Sequence, residues 1–89
     1  NAAVHLVCIQ VTEEFLGYSK SVGNDLSTPR PEFGFAGLVP GNRWCLVAAR
    51  WLQAHQAGKA PRVYLRATNR KALSLISIEI LKGYALDLN

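Results

Sequence analysis

Residues 4–11 of the chain have the sequence VHLVCIQV, in which only His5 and Gln10 are polar. Successive side chains of a β-strand point to opposite faces, so this run is apolar on both of its faces. The first face carries Val4, Leu6 and Cys8, and the second carries Val7, Ile9 and Val11. Such a pattern is typical of a central strand that is covered on both sides. The run therefore predicts that the fold is built on a sheet.

Capping residues that follow this strand predict helices. Thr12 is a good N-cap and Gly23 is a natural helix stop, so a helix is expected over residues 13–22. A second helix is expected to begin after the cap Asn42 and to end at Gly58. Its sequence, RWCLVAARWLQAHQA, is apolar almost all round, which predicts a mostly buried helix.

The rest of the chain predicts a second strand and two further helices. Residues 62–67, RVYLRA, alternate between apolar and polar side chains and indicate a strand with one polar face. The helices are NRKALSLI after the cap Thr68 and IEILKGYA after the cap Ser77. Because a long helical connection joins the two strands, a parallel pair with a right-handed crossover is favoured.

The predicted fold class is therefore α/β, a small single domain with a short, mostly parallel sheet and about four helices packed on it. Two strands make a poor sheet. Further strands are expected upstream of residue 1 or at a subunit interface, which leaves a homo-oligomer open.

The composition is that of one packed globular domain. The chain has 89 residues, of which 49% are hydrophobic and 18% charged, and this balance argues against a disordered chain. No apolar run has the ~18–20 residues that a membrane span needs, and the start lacks a basic signal-peptide region. No membrane partner is expected, and a cytoplasmic location is the simplest interpretation. The chain has no methionine and its first strand begins almost at once, so a segment is expected to precede Asn1.

Cys8 and Cys45 both lie in apolar surroundings. Free cysteine is among the most buried residue types, and disulfide frameworks usually carry more cysteines, so two free and buried thiols are predicted. A metal site is not expected, because His5 and Cys8 would point to opposite faces of a strand. Zinc also prefers four ligands, or three and a water molecule.

The longest segment without a helix or strand pattern is GNDLSTPRPEFGFAGLVPGNRWC, residues 23–45. Loops of this length are usually functional or disordered. The segment begins at a helix stop, and Pro40 and Gly41 near its end suit the centre of a type II turn. Three apolar residues are expected to anchor it to the core: Phe33, Phe35 and Leu38. A packed loop is therefore predicted.

The end of this loop predicts a binding site for a small anionic ligand. A helix that began after Asn42 would offer unpaired N–H groups and a positive dipole end, and Arg43 would add a planar guanidinium. The candidate ligand-binding residues are Asn24, Asp25, Glu32, Asn42, Arg43 and Trp44. The alternative is structural, with Asn42 capping the helix and Arg43 pairing with Asp25 or Glu32 to pin the loop.

An enzyme that uses the same cleft is a second hypothesis. Its nucleophile would be Cys45, in the first helical turn beside Arg43, or it would use a carboxylate pair of Asp25 and Glu32. The chain has no G-x-S-x-G or H-E-x-x-H motif, no phosphate-binding loop and no dinucleotide fingerprint. Neither a reaction nor a cofactor is therefore predicted.

Nucleic-acid binding is a third hypothesis. It would use the polar face of the second predicted strand, with Arg62, Tyr64 and Arg66, because basic residues around an aromatic ring suit single strands. The net charge of +4 permits such a partner. One tyrosine is a thin platform and the recognised RNA-binding motifs are missing, which favours a solvated face or one covered by the final helix.

Three unusual strings give the chain a family resemblance: GNDLSTP, PEFGFAGL, and RWCL followed by AARW. From about His5 to Asp87 the chain resembles a family of small, mostly bacterial proteins catalogued as domain of unknown function 2237. The resemblance implies no activity, since the family has none assigned, and it implies an additional N-terminal segment with further cysteines.

Two positions depart from the pattern of that family. Val47 stands where the family has the second cysteine of a W-C-L-C string, which weakens any metal or redox site built on a cysteine pair here. Asn42 stands where members often have aspartate, and both residues are good N-caps.

Overall fold

The computed structural model describes residues 6–88. Within that range the chain forms two strands, three α-helices and three short 3₁₀ segments. In chain order these are β1 (Leu6–Gln10), α1 (Glu13–Ser21), a 3₁₀ turn (Pro31–Phe33), β2 (Arg43–Val47), α2 (Ala48–Gln56), two 3₁₀ segments (Leu65–Ala67 and Arg70–Ser74) and α3 (Ile78–Tyr84). None of the helices in the described range is long and apolar enough to cross a membrane.

The strands β1 and β2 pair antiparallel, with Cys8 opposite Cys45 and Ile9 opposite Trp44. The prediction of a mostly parallel sheet with about four helices is therefore wrong, since residues 6–88 form a two-stranded antiparallel sheet and three α-helices. The parallel pair was predicted for residues 4–11 and 62–67. The partner of β1 is instead the segment 43–47, which was predicted as helix, and Val63 of the predicted second strand bridges Ile9 antiparallel.

The strand β2 lies where the sequence predicted the first turns of a long helix. Its sequence RWCLV is apolar on both faces apart from Arg43, so the pattern fits a buried helix and a strand equally well. Pairing with β1 decides in favour of the strand. The helix α2 consequently begins only at Ala48, and Asn42 caps no helix.

The segment predicted as a second strand, residues 62–67, runs beside β1 but forms isolated bridges instead of a regular ladder. Val63 bridges Ile9 antiparallel and Ala85 parallel. It is 0% exposed, so it belongs to the core as expected of an inward-facing strand residue. The segment therefore covers the edge of β1 that β2 does not use.

A carboxylate explains why this segment does not continue as a strand. The N–H groups of Leu65 and Arg66 donate to Asp87, at 2.8 and 2.9 Å. These bonds, led by that from Arg66, hold the pKa of Asp87 below its ordinary value. The chain turns here into the 3₁₀ segment Leu65–Ala67.

Local capping produces two of the predicted helices. The Thr12 hydroxyl oxygen accepts a hydrogen bond from the Phe15 N–H group at 3.1 Å, and Gly23, with φ of +89°, follows α1. The Ser77 hydroxyl oxygen accepts from the Ile80 N–H group at 3.3 Å and caps α3. Both helix starts are confirmed.

The helix predicted after Thr68 is instead the 3₁₀ segment Arg70–Ser74. Its cap is Asn69, whose side-chain oxygen accepts from the Lys71 N–H group at 2.8 Å. The prediction of an α-helix at this position is therefore wrong.

The core forms around β1 and α2. Val7 and Ile9 of β1 and Trp51 of α2 are 0% exposed. Trp51 satisfies its buried ring N–H group by donating to the Pro61 carbonyl oxygen at 3.1 Å. Cys8, on the opposite face of β1, is also buried, so the prediction that this strand is covered on both faces is confirmed.

The long loop between α1 and β2 is packed at one of its three predicted anchors and partly packed at a second. Leu38 is buried, and its N–H group donates to the Leu26 carbonyl oxygen at 2.8 Å. Phe35 is partly buried against the core. Phe33 is 77% exposed, so the prediction that it anchors the loop is wrong.

Candidate functional site

A groove of 260 Å³ lies against β2, with four residues of that strand in its lining. It is lined by Leu6, Asn24, Leu26, residues 44–47 and Arg50, and is termed the β2 groove. Its lining thus comes from β2, the first residue of β1, the start of the long loop and the first turn of α2. The groove therefore combines strand residues, apolar side chains and two polar groups.

Arg50 supplies the positive charge of the β2 groove. Its side chain is exposed, and Nη1 donates to Gln53 Oε1 at 3.2 Å. None of the ion pairs formed within residues 6–88 involves Arg50. Sequence reasoning missed this residue because it placed the helix start too early. A helix that begins at Ala48 has Arg50 in its first turn, directly after β2.

Two of the predicted ligand-binding residues, Asn24 and Trp44, line the β2 groove. Trp44 is 37% exposed, and its ring lies 5.7 Å from that of Phe35, centroid to centroid. The backbone of Asn24 is fixed by Ser19, whose hydroxyl donates to the Asn24 carbonyl oxygen at 2.6 Å. The main chain of Asn24 is thus fixed beside the groove.

Asp25 caps the turn that follows it. Its carboxylate oxygens accept from the N–H groups of Ser27 and Thr28, at 3.0 and 3.1 Å, and from the hydroxyl groups of the same residues, at 3.1 and 2.5 Å. These bonds, led by that from the Thr28 hydroxyl, hold the pKa of Asp25 well below its ordinary value. The carboxylate therefore fixes the geometry of the loop.

Glu32 and Asn42, two more of the predicted ligand-binding residues, lie outside the groove. Glu32 pairs with Arg30 at the exposed 3₁₀ turn, with 3.2 Å between Oε2 and Nε. Asn42 Oδ1 accepts from the Val39 N–H group at 3.0 Å and closes the turn before β2. Asp25 and Glu32 each have their own local partners, and the structure does not bring them together as a carboxylate pair.

Arg43 stacks on an aromatic ring outside the β2 groove. Its Cζ lies 3.9 Å from the ring centroid of Tyr64, a cation–π contact. Its strand position puts its side chain on the face of β2 that carries Cys45. Within residues 6–88 it forms no ion pair with Asp25 or Glu32, so the loop is not pinned in the way that the structural alternative predicted.

Cys8 and Cys45 form a disulfide between directly facing positions of the sheet. The prediction of two free, buried thiols is wrong, because the described residues contain no free cysteine and Cys45 is exposed. The two residues are 37 positions apart and meet only once β2 pairs with β1, so no local pattern could reveal the bond. In this oxidised form Cys45 has no thiolate and is not a nucleophile.

No metal centre is found in the described part of the chain, where no three His, Cys, Asp or Glu side chains are grouped to hold an ion. His5, considered as a ligand together with Cys8, lies outside the described residues. His55 is packed among aromatic rings: it stacks on Trp51, and its Nδ1 lies 3.1 Å from the Tyr84 hydroxyl.

The basic face predicted for nucleic acid is divided among other contacts. Arg62 Nε donates to the Tyr84 carbonyl oxygen at 3.1 Å. The ring of Tyr64 is covered by the Arg43 guanidinium and offers that face to no base. Arg66 lies in the 3₁₀ segment after the extended part of the chain. The three side chains therefore do not form one stacking platform.

A smaller cavity of 180 Å³ lies between the segment Arg70–Ser74 and α3. Its apolar lining includes Leu73 and Leu81. Two of its polar residues have structural partners, since Asn69 caps the 3₁₀ segment and the Thr68 hydroxyl donates to a backbone carbonyl. The lining also includes Arg70, which takes part in none of the ion pairs within residues 6–88, so the β2 groove is preferred for its larger volume alone.

No curated protein matches the chain. One family model, described as an uncharacterized protein conserved in bacteria, matches residues 1–85. That match spans the sheet, the β2 groove and all of α3, and it agrees with the resemblance that GNDLSTP, PEFGFAGL and RWCL indicate. The chain therefore belongs to the DUF2237 family of uncharacterized proteins conserved in bacteria.

Proposed function

We propose that this protein is a binding module that holds an anionic ligand with an apolar part in the β2 groove. The observation that carries the proposal is the position of Arg50. Its residue lines the β2 groove, and its guanidinium forms no ion pair with a carboxylate among residues 6–88. A guanidinium matches the geometry of carboxylate and phosphate groups and stays charged at physiological pH. The ligand class is the one predicted from sequence, while the cation that holds it is Arg50 instead of Arg43.

The electrostatic surroundings favour an anion. None of the residues that line the groove is acidic, and the net charge of the chain is +4. Asp25 follows Asn24 in sequence, but its oxygens are occupied by hydrogen bonds within the loop. The Asn24 amide can add a hydrogen-bond donor to the charge of Arg50.

The apolar lining of the groove suits a hydrocarbon portion of the ligand. Leu26, Trp44 and Leu46 line it together, and its volume of 260 Å³ fits a small molecule or a few side chains. Each methylene group that is buried there contributes about 0.8 kcal/mol. A carboxylate with a short tail should therefore bind more tightly than an inorganic anion.

The proposal is tested with hexanoate, with hexanamide as the neutral counterpart and inorganic phosphate as the anion without a tail. The NMR signal of the Trp44 indole N–H group reports binding at the groove. Hexanoate should shift that signal at lower concentration than either control. In Arg50→Gln its affinity should fall at least about tenfold, because a charged hydrogen bond is lost.

Arg43→Gln is the matched control, since it removes an equal charge from β2 but outside the groove. It should leave the hexanoate affinity unchanged. If Arg43→Gln abolished binding and Arg50→Gln did not, the ligand would bind where the sequence first indicated and the β2 groove would be the wrong site. An equal loss of hexanoate affinity in both variants would mean that the ligand responds only to the net charge of the protein.

A further inference from the structure

The hydrogen bonds of β1 determine in which direction the backbone of β2 points. The Gln10 N–H group donates to residue 62 at 3.0 Å, and the Cys8 carbonyl oxygen accepts from residue 64 at 2.7 Å. Cys8 and Gln10 thus direct their backbone groups away from β2. In an antiparallel pair the residues opposite such positions also direct theirs away from the partner strand. Cys45 and Arg43 are those residues, so their N–H and C=O groups point outward.

The backbone at the end of β2 points the same way. The Leu6 carbonyl oxygen accepts from the Asn69 N–H group at 3.0 Å, so Val47, opposite Leu6, also directs its N–H group outward. Within residues 6–88 no hydrogen bond satisfies the outward N–H groups of Arg43, Cys45 and Val47. The outer edge of β2 is thus an unpaired strand edge along the β2 groove.

Proteins commonly blunt such an edge with lysine, proline or a bulge. Residues 44–47, Trp-Cys-Leu-Val, contain neither lysine nor proline, and the register with β1 is continuous. An edge of this kind is a ready template for another strand.

We propose that the ligand of the β2 groove is an extended acidic peptide of a partner protein, which adds to the outer edge of β2 as a further strand. This inference rests on the proposed function, because a carboxylate of the peptide is the anion that Arg50 holds. The peptide backbone pairs with the outward groups of Cys45 and its neighbours, and the groove takes the side chains on one face of the peptide.

Charge complementarity favours an acidic peptide over a second copy of this chain. Pairing β2 with the β2 of another copy would bring together two chains of net charge +4, each with its own Arg50 at the groove. An acidic peptide instead brings negative charge to a groove whose lining contains no acidic residue.

The groove also sets the order of side chains in the peptide. Alternate side chains of an added strand lie on the same face as Trp44 and Leu46, beside Leu26, and these positions suit apolar residues. Arg50 lies beyond the α2 end of β2, so the acidic residue belongs near that end. The expected peptide therefore combines a short apolar run with an adjoining carboxylate.

The test uses a labelled octapeptide of alternating glutamate and valine, blocked at both ends, and its lysine–valine counterpart. Fluorescence anisotropy gives the affinities, and amide hydrogen exchange shows which backbone groups become protected. The acidic peptide should bind and should protect the amides of Cys45 and Val47 from exchange. It should bind at least about tenfold more tightly than an analogue that is N-methylated at two adjacent central residues. The lysine peptide should not bind.

Val47→Pro tests the same edge from the side of the protein. Val47 has φ of −62°, which proline adopts without strain, and its N–H group is not part of the ladder with β1. The variant should keep the melting temperature of Val47→Ala, its matched control, and should bind the acidic peptide about tenfold more weakly. Hexanoate should bind Val47→Pro as tightly as it binds Val47→Ala, because both variants shorten the same groove-lining side chain and keep Arg50.

The remaining outcomes overturn the inference. Strand addition is excluded if neither N-methylation of the peptide nor Val47→Pro weakens peptide binding while Arg50→Gln abolishes it. The proposal that the β2 groove binds an anion would survive that result. Failure of both the peptide and hexanoate removes the proposed function as well. Equal affinity of the lysine peptide removes the acidic preference. A concentration-dependent dimer in size-exclusion chromatography that Val47→Pro dissociates identifies a second copy as the occupant of the edge.

Discussion

The two strands of the sheet are five residues each and mostly apolar, yet their surroundings differ sharply. β1 is bonded along both edges, by β2 on one side and by residues 62–69 on the other. β2 is bonded along one edge, and Trp44 and Cys45 on it are exposed although their partners Ile9 and Cys8 are buried. An apolar run therefore shows that a strand packs, but its neighbours decide whether it ends up central or at an edge.

Under the proposed function, this difference assigns the stability of the fold to β1 and the binding of a ligand to β2. Changes in β1 should unfold the protein, because each of its faces and edges has a partner. Changes on the outer side of β2 should alter binding and leave the fold intact. That assignment can be tested at the disulfide between the strands, at the facing residues Ile9 and Trp44, and at the turn that follows Asp25.

The largest effect is expected from the link itself, the disulfide between Cys8 and Cys45. It joins residues 37 positions apart, and closing a loop of that size stabilises the folded state by about 4 kcal/mol in the chain-entropy account. Dithiothreitol should therefore lower the urea midpoint strongly, since a small domain has only about 5–15 kcal/mol of stability in total.

The control for the disulfide is the double variant Cys8→Ala with Cys45→Ala. It should resemble the reduced protein in urea, and dithiothreitol should have no further effect on it. If the reductant left the wild-type midpoint unchanged, the exposed strand would be held to the buried one by packing and hydrogen bonds alone.

The next largest effect on stability is expected from Ile9, which faces Trp44 across the sheet. Ile9 is 0% exposed and Trp44 is 37% exposed. Ile9→Ala should destabilise by about 2–5 kcal/mol, because it leaves a cavity in the core. Trp44→Ala should cost about 1 kcal/mol, since the larger side chain is partly in solvent and its main contact is Phe35.

Urea denaturation of both variants measures this contrast directly. A loss in Trp44→Ala as large as that in Ile9→Ala would mean that the outer side of β2 is covered in solution. The comparison between a central strand and an open edge would then fail.

Local chemistry explains why parts of the fold were predictable from sequence. Thr12 and Ser77 cap helices through hydrogen bonds to residues three positions away, so their signals lie within one turn of chain. The alternation of β1 likewise needs no distant partner to be recognised. These elements appear where their sequences predict them.

The sequence-based predictions are wrong where a residue that is distant in sequence determines the local structure. RWCLV fits a helix as well as a strand until β1 pairs with it, and the alternating run after Pro61 ends at residue 65 because Asp87, 22 positions later, takes its N–H group. The site shows the same division. Asn24 and Trp44 were predicted, whereas Arg50 depends on knowing that α2 begins at Ala48.

The smallest effect on stability is expected from the loop that contributes Asn24 and Leu26 to the β2 groove. The hydrogen bonds from Ser27 and Thr28 lower the pKa of Asp25 in the folded state from its ordinary value of 3.8. A carboxyl group of this kind contributes stability that is fully present above that value and is lost as the pH falls below it. The wild-type urea midpoint should therefore drop as the pH falls from about 5 to about 3, and that of Asp25→Asn should drop less, because its amide does not titrate.

Glu79→Gln is the control for Asp25, since it removes an exposed carboxylate on α3, far from the loop in sequence. It should keep the acid sensitivity of the wild type. If Asp25→Asn were as acid-sensitive as the control, the turn would not depend on the ionised carboxylate. Hexanoate itself becomes protonated over the same pH range and should bind both proteins more weakly. A greater loss of binding in the wild type than in Asp25→Asn, before unfolding, would show that this turn holds the loop side of the β2 groove in place.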